Sequence, residues 1–305
     1  MEMKMEQNPV ALGKHIVRTS LYHFVRRSLY HFGYDVIRMG LPNKEEIKKD
    51  FAVRLKKQNY GFDETTIKIY EQVSPVTLTN IERVFALKNA IEYIIKNDIP
   101  GDIVECGVWR GGSMMAAALT LLNLGAKRRL YLFDTFAGMT APTSVDRDLF
   151  GKSATESSEG SAPSDPSKDA PPLWEVKANL RSTGYDENLI TYVQGPVEET
   201  LPANAPATIA ILRLDTDWYE STRHEMQHLY PRLSSGGVLI IDDYGHYEGA
   251  RLAVDEFIAA GGLPLLLHRI DYTARICVKP RSHVKPILTP SKRSDKEARR
   301  FPGDH

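Results

Sequence analysis

The side chains in this sequence best placed to do chemistry are carboxylates at the ends of apolar runs. Asp215 follows Ala207-Thr-Ile-Ala-Ile-Leu-Arg-Leu214, and Asp242-Asp243 follow Gly236-Gly-Val-Leu-Ile-Ile241. Both runs have the length and β-rich composition of buried strands. In a parallel sheet such strand ends share one edge, the edge where ligands bind. Neighbouring carboxylates repel unless positive charge lies between them. Acids converging on one rim therefore predict a hard divalent cation. Mg²⁺ is the expectation, because it takes oxygen ligands and keeps waters or substrate oxygens in its octahedron. The plainer alternative is that these aspartates cap the helices that follow. Asp217 stands in the same short turn as Asp215, so spacing alone does not separate metal ligand from general base. His246 directly follows the acidic pair and is a further candidate base. His224 is a weaker one, on a helix surface.

A second constellation precedes these acids. Gly101-Asp-Ile-Val-Glu-Cys-Gly-Val-Trp-Arg-Gly-Gly-Ser-Met114 begins as a short strand that ends near Glu105. It continues through glycines 107, 111 and 112, and meets an apolar helix at Ser113. Glycine lets a ligand approach the backbone, and first-turn N–H groups favour an anionic group such as a carboxylate. The spacing is G-x-x-x-G-G and not the dinucleotide pattern G-x-G-x-x-G, which disfavours a nicotinamide-dependent oxidoreductase. Arg129-Leu-Tyr-Leu-Phe-Asp134 supplies another strand with a terminal acid. A carboxylate there can accept two hydrogen bonds from a diol.

The elements that must position these groups alternate along the chain. A helix is expected over Ile81–Lys96, with Thr77 and Thr79 just before it as caps, or as hydroxyls within reach of a ligand. Further helices are expected over Trp174–Thr183, Ser221–Leu233 and Tyr247–Ala260, with a strand at Leu189–Val193 leading to Gly195. Residues 58–76 look irregular, broken by Gly61 and Pro75. Strand–helix alternation of this kind argues for a parallel sheet covered on both faces. Pro264–His268 and Ala274–Val278 lie too close together for a crossover and read as an antiparallel edge pair.

Around this body lie three less ordered segments. Residues 1–76 form an expected N-terminal arm, with Ser-Leu-Tyr-His-Phe repeated at 20–24 and 28–32 and a charged helix over Lys44–Lys57. An aromatic stripe of this spacing suits packing on the body or on another copy, so a homo-oligomer is expected. Peripheral membrane contact by residues 1–40 is the second reading, since arginines interleave with the apolar residues. Residues 141–172 are a polar, mobile insertion placed as a lid, and 281–305 are a basic tail.

Bulk properties narrow the class. The 305 residues carry 39 Lys plus Arg against 39 Asp plus Glu, so charge gives no argument for nucleic acid. Apolar residues at 42% suit a globular core large enough for an enzyme. Cys106 and Cys277 both lie in apolar runs and read as buried free thiols. No apolar run reaches the roughly 20 residues of a membrane span. The N-terminus has no signal-peptide pattern, so a cytoplasmic enzyme is the expectation.

The Glu-x-Gly after one strand and the Asp ending the next resemble the class I methyltransferases that bind S-adenosylmethionine (SAM). With both constellations in view, the chain resembles the macrocin O-methyltransferase family over about residues 75–280. The matching segments are Gly101–Ser113, Leu132-Phe-Asp-Thr-Phe136, Leu212-Arg-Leu-Asp-Thr-Asp-Trp-Tyr-Glu-Ser-Thr222, Tyr230-Pro-Arg-Leu233 and Gly236–His246 continuing to Glu256. The resemblance implies a Rossmann-like seven-stranded α/β sheet of order 3-2-1-4-5-7-6 with strand 7 antiparallel, spanning 77–280. It implies SAM contacts at Glu105, Gly107, Ser113 and Asp134; Gly111, Phe136, Gly195 and Thr77 are further candidates for the cofactor site. Metal ligands would be Asp215, Asp242 and Asp243, with Asp215, Asp217 or His246 taking the proton. It implies a SAM- and Mg²⁺-dependent methyl transfer to a sugar hydroxyl of a glycosylated metabolite or glycan. A non-sugar diol or catechol acceptor and a non-catalytic interaction subunit are the other readings.

Overall fold

The computed structural model describes residues 61–154 and 170–280. The expected arm before residue 61, with its Lys44–Lys57 helix and repeated aromatic motif, lies outside the described residues, as do positions 155–169 and the basic tail.

Among the described residues seven strands form one sheet: β1 (Asp102–Cys106), β2 (Leu130–Asp134), β3 (Ile190–Gln194), β4 (Ile209–Leu214), β5 (Leu233–Ile241), β6 (His268–Arg269) and β7 (Arg275–Val278). Their order is β3-β2-β1-β4-β5-β7-β6. β1 to β5 run parallel, and β7 pairs antiparallel with both β5 and β6, as the sequence predicts for the edge. β4 is buried at every position, and β1 at all but its first. Such central strands have helices on both faces, which is why they read as continuous apolar runs.

Among the described residues the helices are α1 (Glu64–Val73), α2 (Ile81–Lys96), α3 (Gly112–Asn123), α4 (Leu173–Ser182), the single turn α5 (Val197–Thr200), α6 (Tyr219–His228) and α7 (Glu248–Gly261). One apolar layer gathers α1 to α4 around Ile103, Leu130, Leu132 and Ile211. The other gathers α6 and α7 around Val104, Phe133, Leu212 and Leu239. Both cysteines are buried and free. Among the described residues no helix is long and apolar enough to cross a membrane.

Three local expectations are corrected. Residues 64–73 are helical rather than irregular: Asp63 caps the helix through Thr66 N at 2.8 Å, and Thr66, Ile69 and Val73 are buried. The α2 cap is Asn80, whose side chain accepts from Arg83 N at 3.0 Å, so Thr77 and Thr79 are released from that task. The helix expected to reach Leu233 stops at His228, because Pro231 sits in a 3₁₀ turn, Tyr230–Arg232, that leads into β5.

Candidate active site

Strand register brings the acids together. Cys106 pairs with Phe133 and with Leu214, and Leu214 pairs with Ile241. The next residue on each strand is Gly107, Asp134, Asp215 or Asp242, so these four form a row along one edge of the sheet. The ladder continues into that row, with Gly107 N donating to Phe133 O and Asp215 N to Cys106 O, each at 2.9 Å. Above it opens a cleft of about 830 Å³.

On one side the glycine turn is held by Asp134. One carboxylate oxygen accepts from Val108 N at 2.7 Å and from Trp109 N at 3.0 Å, and the other from Phe136 N at 2.7 Å. The turn needs this support, because Gly107, Trp109 and Gly111 all have positive φ. Gly112 then packs so tightly on Val76 and Thr77 that a Cβ there would meet their backbone. This contact seats the α3 N-terminus beside the Thr77 and Thr79 hydroxyls, which share a hydrogen bond of 2.8 Å.

On the other side lie the carboxylates. One ligand atom each from Asp215, Asp242 and Asp243 fall within 4.8 Å of one another. Arg213 donates to Asp215 at 2.6 Å and to Asp242 at 2.5 Å. Arg83, from α2, pairs with the second oxygen of Asp242 and with Asp271. Glu105, Asp215, Asp242 and Asp271 pair with these two guanidiniums, and the carboxyls of Asp217 and Asp243 stand beside them, so six acids face two positive groups. The imbalance shows in the acidities. Burial raises Asp242 to about 6 and Asp217 to about 7, and Asp243 is pushed up by burial and by Asp217 beside it. Asp217, with φ +66°, turns back so that its carboxyl hydrogen-bonds that of Asp243. A site short of positive charge, walled by oxygen donors, fits a divalent cation.

His246 closes the rim. Burial lowers its pKa, so the ring is neutral near pH 7 and able to accept a proton. Its Nδ1 lies 3.4 Å from the Tyr272 hydroxyl, and Tyr247 packs edge-on to it and to Trp218. The first part of the polar insertion is tied into this wall. Buried Asp146 accepts from Tyr219 N, Thr143 N and the Thr143 hydroxyl, Trp218 Nε1 donates to Thr140 O, and Glu248 N donates to Arg147 O.

Of the residues singled out from sequence, Thr77, Gly107, Ser113, Asp134, Gly195, Asp215, Asp217, Asp242, Asp243 and His246 line this one cleft. Three do not. Glu105 is the penultimate residue of β1, sealed beneath the floor and bonded to Arg213. Gly111 faces Leu180 and Val176, and Phe136 packs into the core. Sequence reasoning missed Arg83, Arg213 and Tyr247. Arg213 had a signal, a charge inside a central strand, which must find acid partners there. Arg83, on an amphipathic helix, had none.

Comparison with known proteins agrees with this geometry. Residues 41–279 match the family model for macrocin-O-methyltransferase (TylF). A tetracenomycin-pathway relative from Streptomyces olivaceus, 8-demethyl-8-(2,3-dimethoxy-alpha-L-rhamnosyl)-tetracenomycin-C 4'-O-methyltransferase, is 33% identical over 65% of this chain and 73% of its own. Demethyldecarbamoylnovobiocin O-methyltransferase of Streptomyces niveus is 32% identical over 60% of this chain and 68% of its own. The solved structure of the O-methyltransferase NovP superimposes with a TM-score of 0.58 at 30% identity, covering 68% of this chain and 83% of that one. The chain therefore belongs to the macrocin-O-methyltransferase family and is a SAM-dependent O-methyltransferase.

Proposed function

We propose that this enzyme methylates a sugar hydroxyl of a glycosylated small molecule, with Mg²⁺ held by Asp215, Asp242 and Asp243. The observation that carries the proposal is the carboxylate cluster standing on the same sheet edge as the glycine turn, inside one cleft. The cleft volume lies in the range of small-molecule sites, with room for a nucleoside cofactor and part of an acceptor. The sugar is supported by the rhamnosyl substrate in the name of the tetracenomycin-pathway relative.

SAM supplies an activated methyl group, and a bound Mg²⁺ supplies positive charge that orients an acceptor diol and makes its hydroxyl more acidic. The chain's residues do the rest. Asp134 and the turn amides fix the cofactor side, with Thr77, Ser113 and Gly195 on its walls. Asp215, Asp242 and Asp243 fix the cation side. Asp217 and His246 are the groups placed to take the acceptor proton, Asp217 because its carboxyl titrates near neutrality and His246 because its ring is neutral there. Thr140 and Tyr247 line the cleft, and Trp218 behind them holds both in place, so that donor and acceptor meet in one orientation. A cytoplasmic location and a homo-oligomer built through the N-terminal arm belong to the same proposal.

The test is methyl transfer from SAM to a panel of rhamnosides, nucleotide sugars and a catechol, with and without EDTA. Turnover of a sugar that EDTA abolishes and Mg²⁺ restores supports the reading. Turnover confined to the catechol, or unaffected by EDTA, overturns the corresponding half.

A further inference from the structure

Two buried residues hold the carboxylate cluster from beneath. Arg213 is 3% exposed and Glu105 is 1% exposed. They are register partners on β4 and β1, so their side chains stand side by side. Arg213 Nη1 donates to Glu105 Oε1 and to Asp215 Oδ2, both at 2.6 Å, while Nη2 reaches Asp242 Oδ1 at 2.5 Å. One planar fork thus joins acids from three adjacent strands, β1, β4 and β5. A lysine ammonium is a single point charge and does not reproduce that span. Neither residue lines the cleft. Glu105 Oε2 is buried without a hydrogen-bond partner, so no part of this carboxyl meets the cleft.

We propose that Arg213 and Glu105 are positioning residues for the cation site: Arg213 fixes Asp215 and Asp242, and Glu105 fixes Arg213, so Glu105 acts through the aspartates and not on SAM. This rests on the reading that the cluster holds a cation. Asp215 gives one oxygen to Arg213 and keeps the other for a ligand, while Asp242 is held from two sides, by Arg213 at Oδ1 and by Arg83 at Oδ2. The guanidinium thereby sets the direction of both carboxylates before any ion arrives. The glycine turn then meets SAM through its backbone and Asp134, without a carboxylate from β1.

The two affinities separate the roles. Full-length wild type, Glu105→Leu, Glu105→Gln and Arg213→Lys are titrated by calorimetry, with SAM in EDTA and with Mg²⁺ alone. Partners behind metal ligands change metal affinity by about 10–100-fold when lost. Arg213→Lys and Glu105→Leu should weaken Mg²⁺ in that range. Glu105→Gln, which keeps the acceptor, should bind Mg²⁺ more tightly than Glu105→Leu. All three should bind SAM as wild type does. Should Glu105→Leu fail to fold by circular dichroism, Arg213→Lys decides the cation half and Glu105→Gln the SAM half. Weakened SAM binding in Glu105→Gln with Mg²⁺ unchanged overturns the proposal in favour of a cofactor contact. Wild type and Arg213→Lys binding Mg²⁺ equally well overturns the proposal alone. Wild type that binds no Mg²⁺ removes the cation reading and this proposal with it.

Discussion

Replacing Gly107 with Ala tests whether the cofactor turn and the carboxylate cluster are mechanically one unit. Gly107 has φ +79°, and a Cβ built there would coincide with the carbonyl group of Asp215. The left-handed conformation costs an alanine about 1–2 kcal/mol. Forcing an extra carbon into a filled space costs about 1–3 kcal/mol more. The sum, about 2–5 kcal/mol, is a large share of the roughly 5–15 kcal/mol that holds a domain folded. The obstacle is backbone, so no rotamer change relieves it, and Asp215 must move. A displacement near 1 Å at a reacting centre lowers turnover by about 10²-fold. Gly125 is the control: its φ is +60°, and a Cβ there meets nothing within 4 Å. Gly125→Ala should lose about 1–2 kcal/mol and keep full turnover. Urea unfolding gives the stabilities, and kcat/KM gives the activity. If Gly107→Ala unfolds at the same urea concentration as Gly125→Ala and turns over normally, the close contact between turn and acid does not hold the site together.

Other perturbations probe separate parts. Asp134→Asn places an amide N–H₂ against at least one of the Val108, Trp109 and Phe136 amides that the carboxylate now accepts. SAM affinity should fall about tenfold or more, read by calorimetry, and unchanged affinity contradicts the role given to Asp134. Asp146→Ala removes the acceptor for Tyr219 N and Thr143, and should cost about 1–3 kcal/mol in urea unfolding with a raised KM for the acceptor. The third concerns pH. Burial raises Asp217 from 3.8 to about 7, and an acid raised on folding favours the folded state below its unfolded pKa and loses that contribution as pH climbs to the folded value. The slope is at most about 1.4 kcal/mol for each pH unit and falls off near the folded value, so Asp217 removes on the order of 2 kcal/mol between pH 5 and pH 7 in EDTA. A cation keeps the carboxylates ionised, so stabilisation by Mg²⁺ should grow over that interval. Stabilisation equal at both pH values contradicts the linkage. Comparing the two conditions at each pH cancels the opposite contribution of His246, whose lowered pKa disfavours folding below about 6.5.

Much of the site was legible because strand ends carry their own punctuation. Apolar runs closing in Asp134, Asp215 and Asp242-Asp243 fixed the sheet edge, and the parallel reading then required the acids to converge. What was not legible depended on partners distant in sequence. Glu105 looks like the last residue of its strand, but β1 runs on to Cys106, and its register with β4 sets the carboxyl against Arg213. Phe136 and Gly111 belong to the same turns as true lining residues, yet Phe136 packs into the core and Gly111 sits against Val176 and Leu180 of α4. α1 was missed because it is short and presents only Thr66, Ile69 and Val73 to the core, a sparse pattern beside the glycine and proline that flank it. Arg83 became visible only when α2 was packed against the hairpin that holds Asp271.

The central claim is that one cleft holds the cofactor against the glycine turn and a cation among the aspartates. The most direct measurement is anomalous diffraction at the manganese edge from crystals grown with S-adenosylhomocysteine and Mn²⁺. The account predicts a peak bounded by Asp215, Asp242 and Asp243, facing a nucleoside whose turn contacts run through Gly107 and Asp134. No peak there, with the three carboxylates still paired only to Arg213, Arg83 and one another, would contradict it.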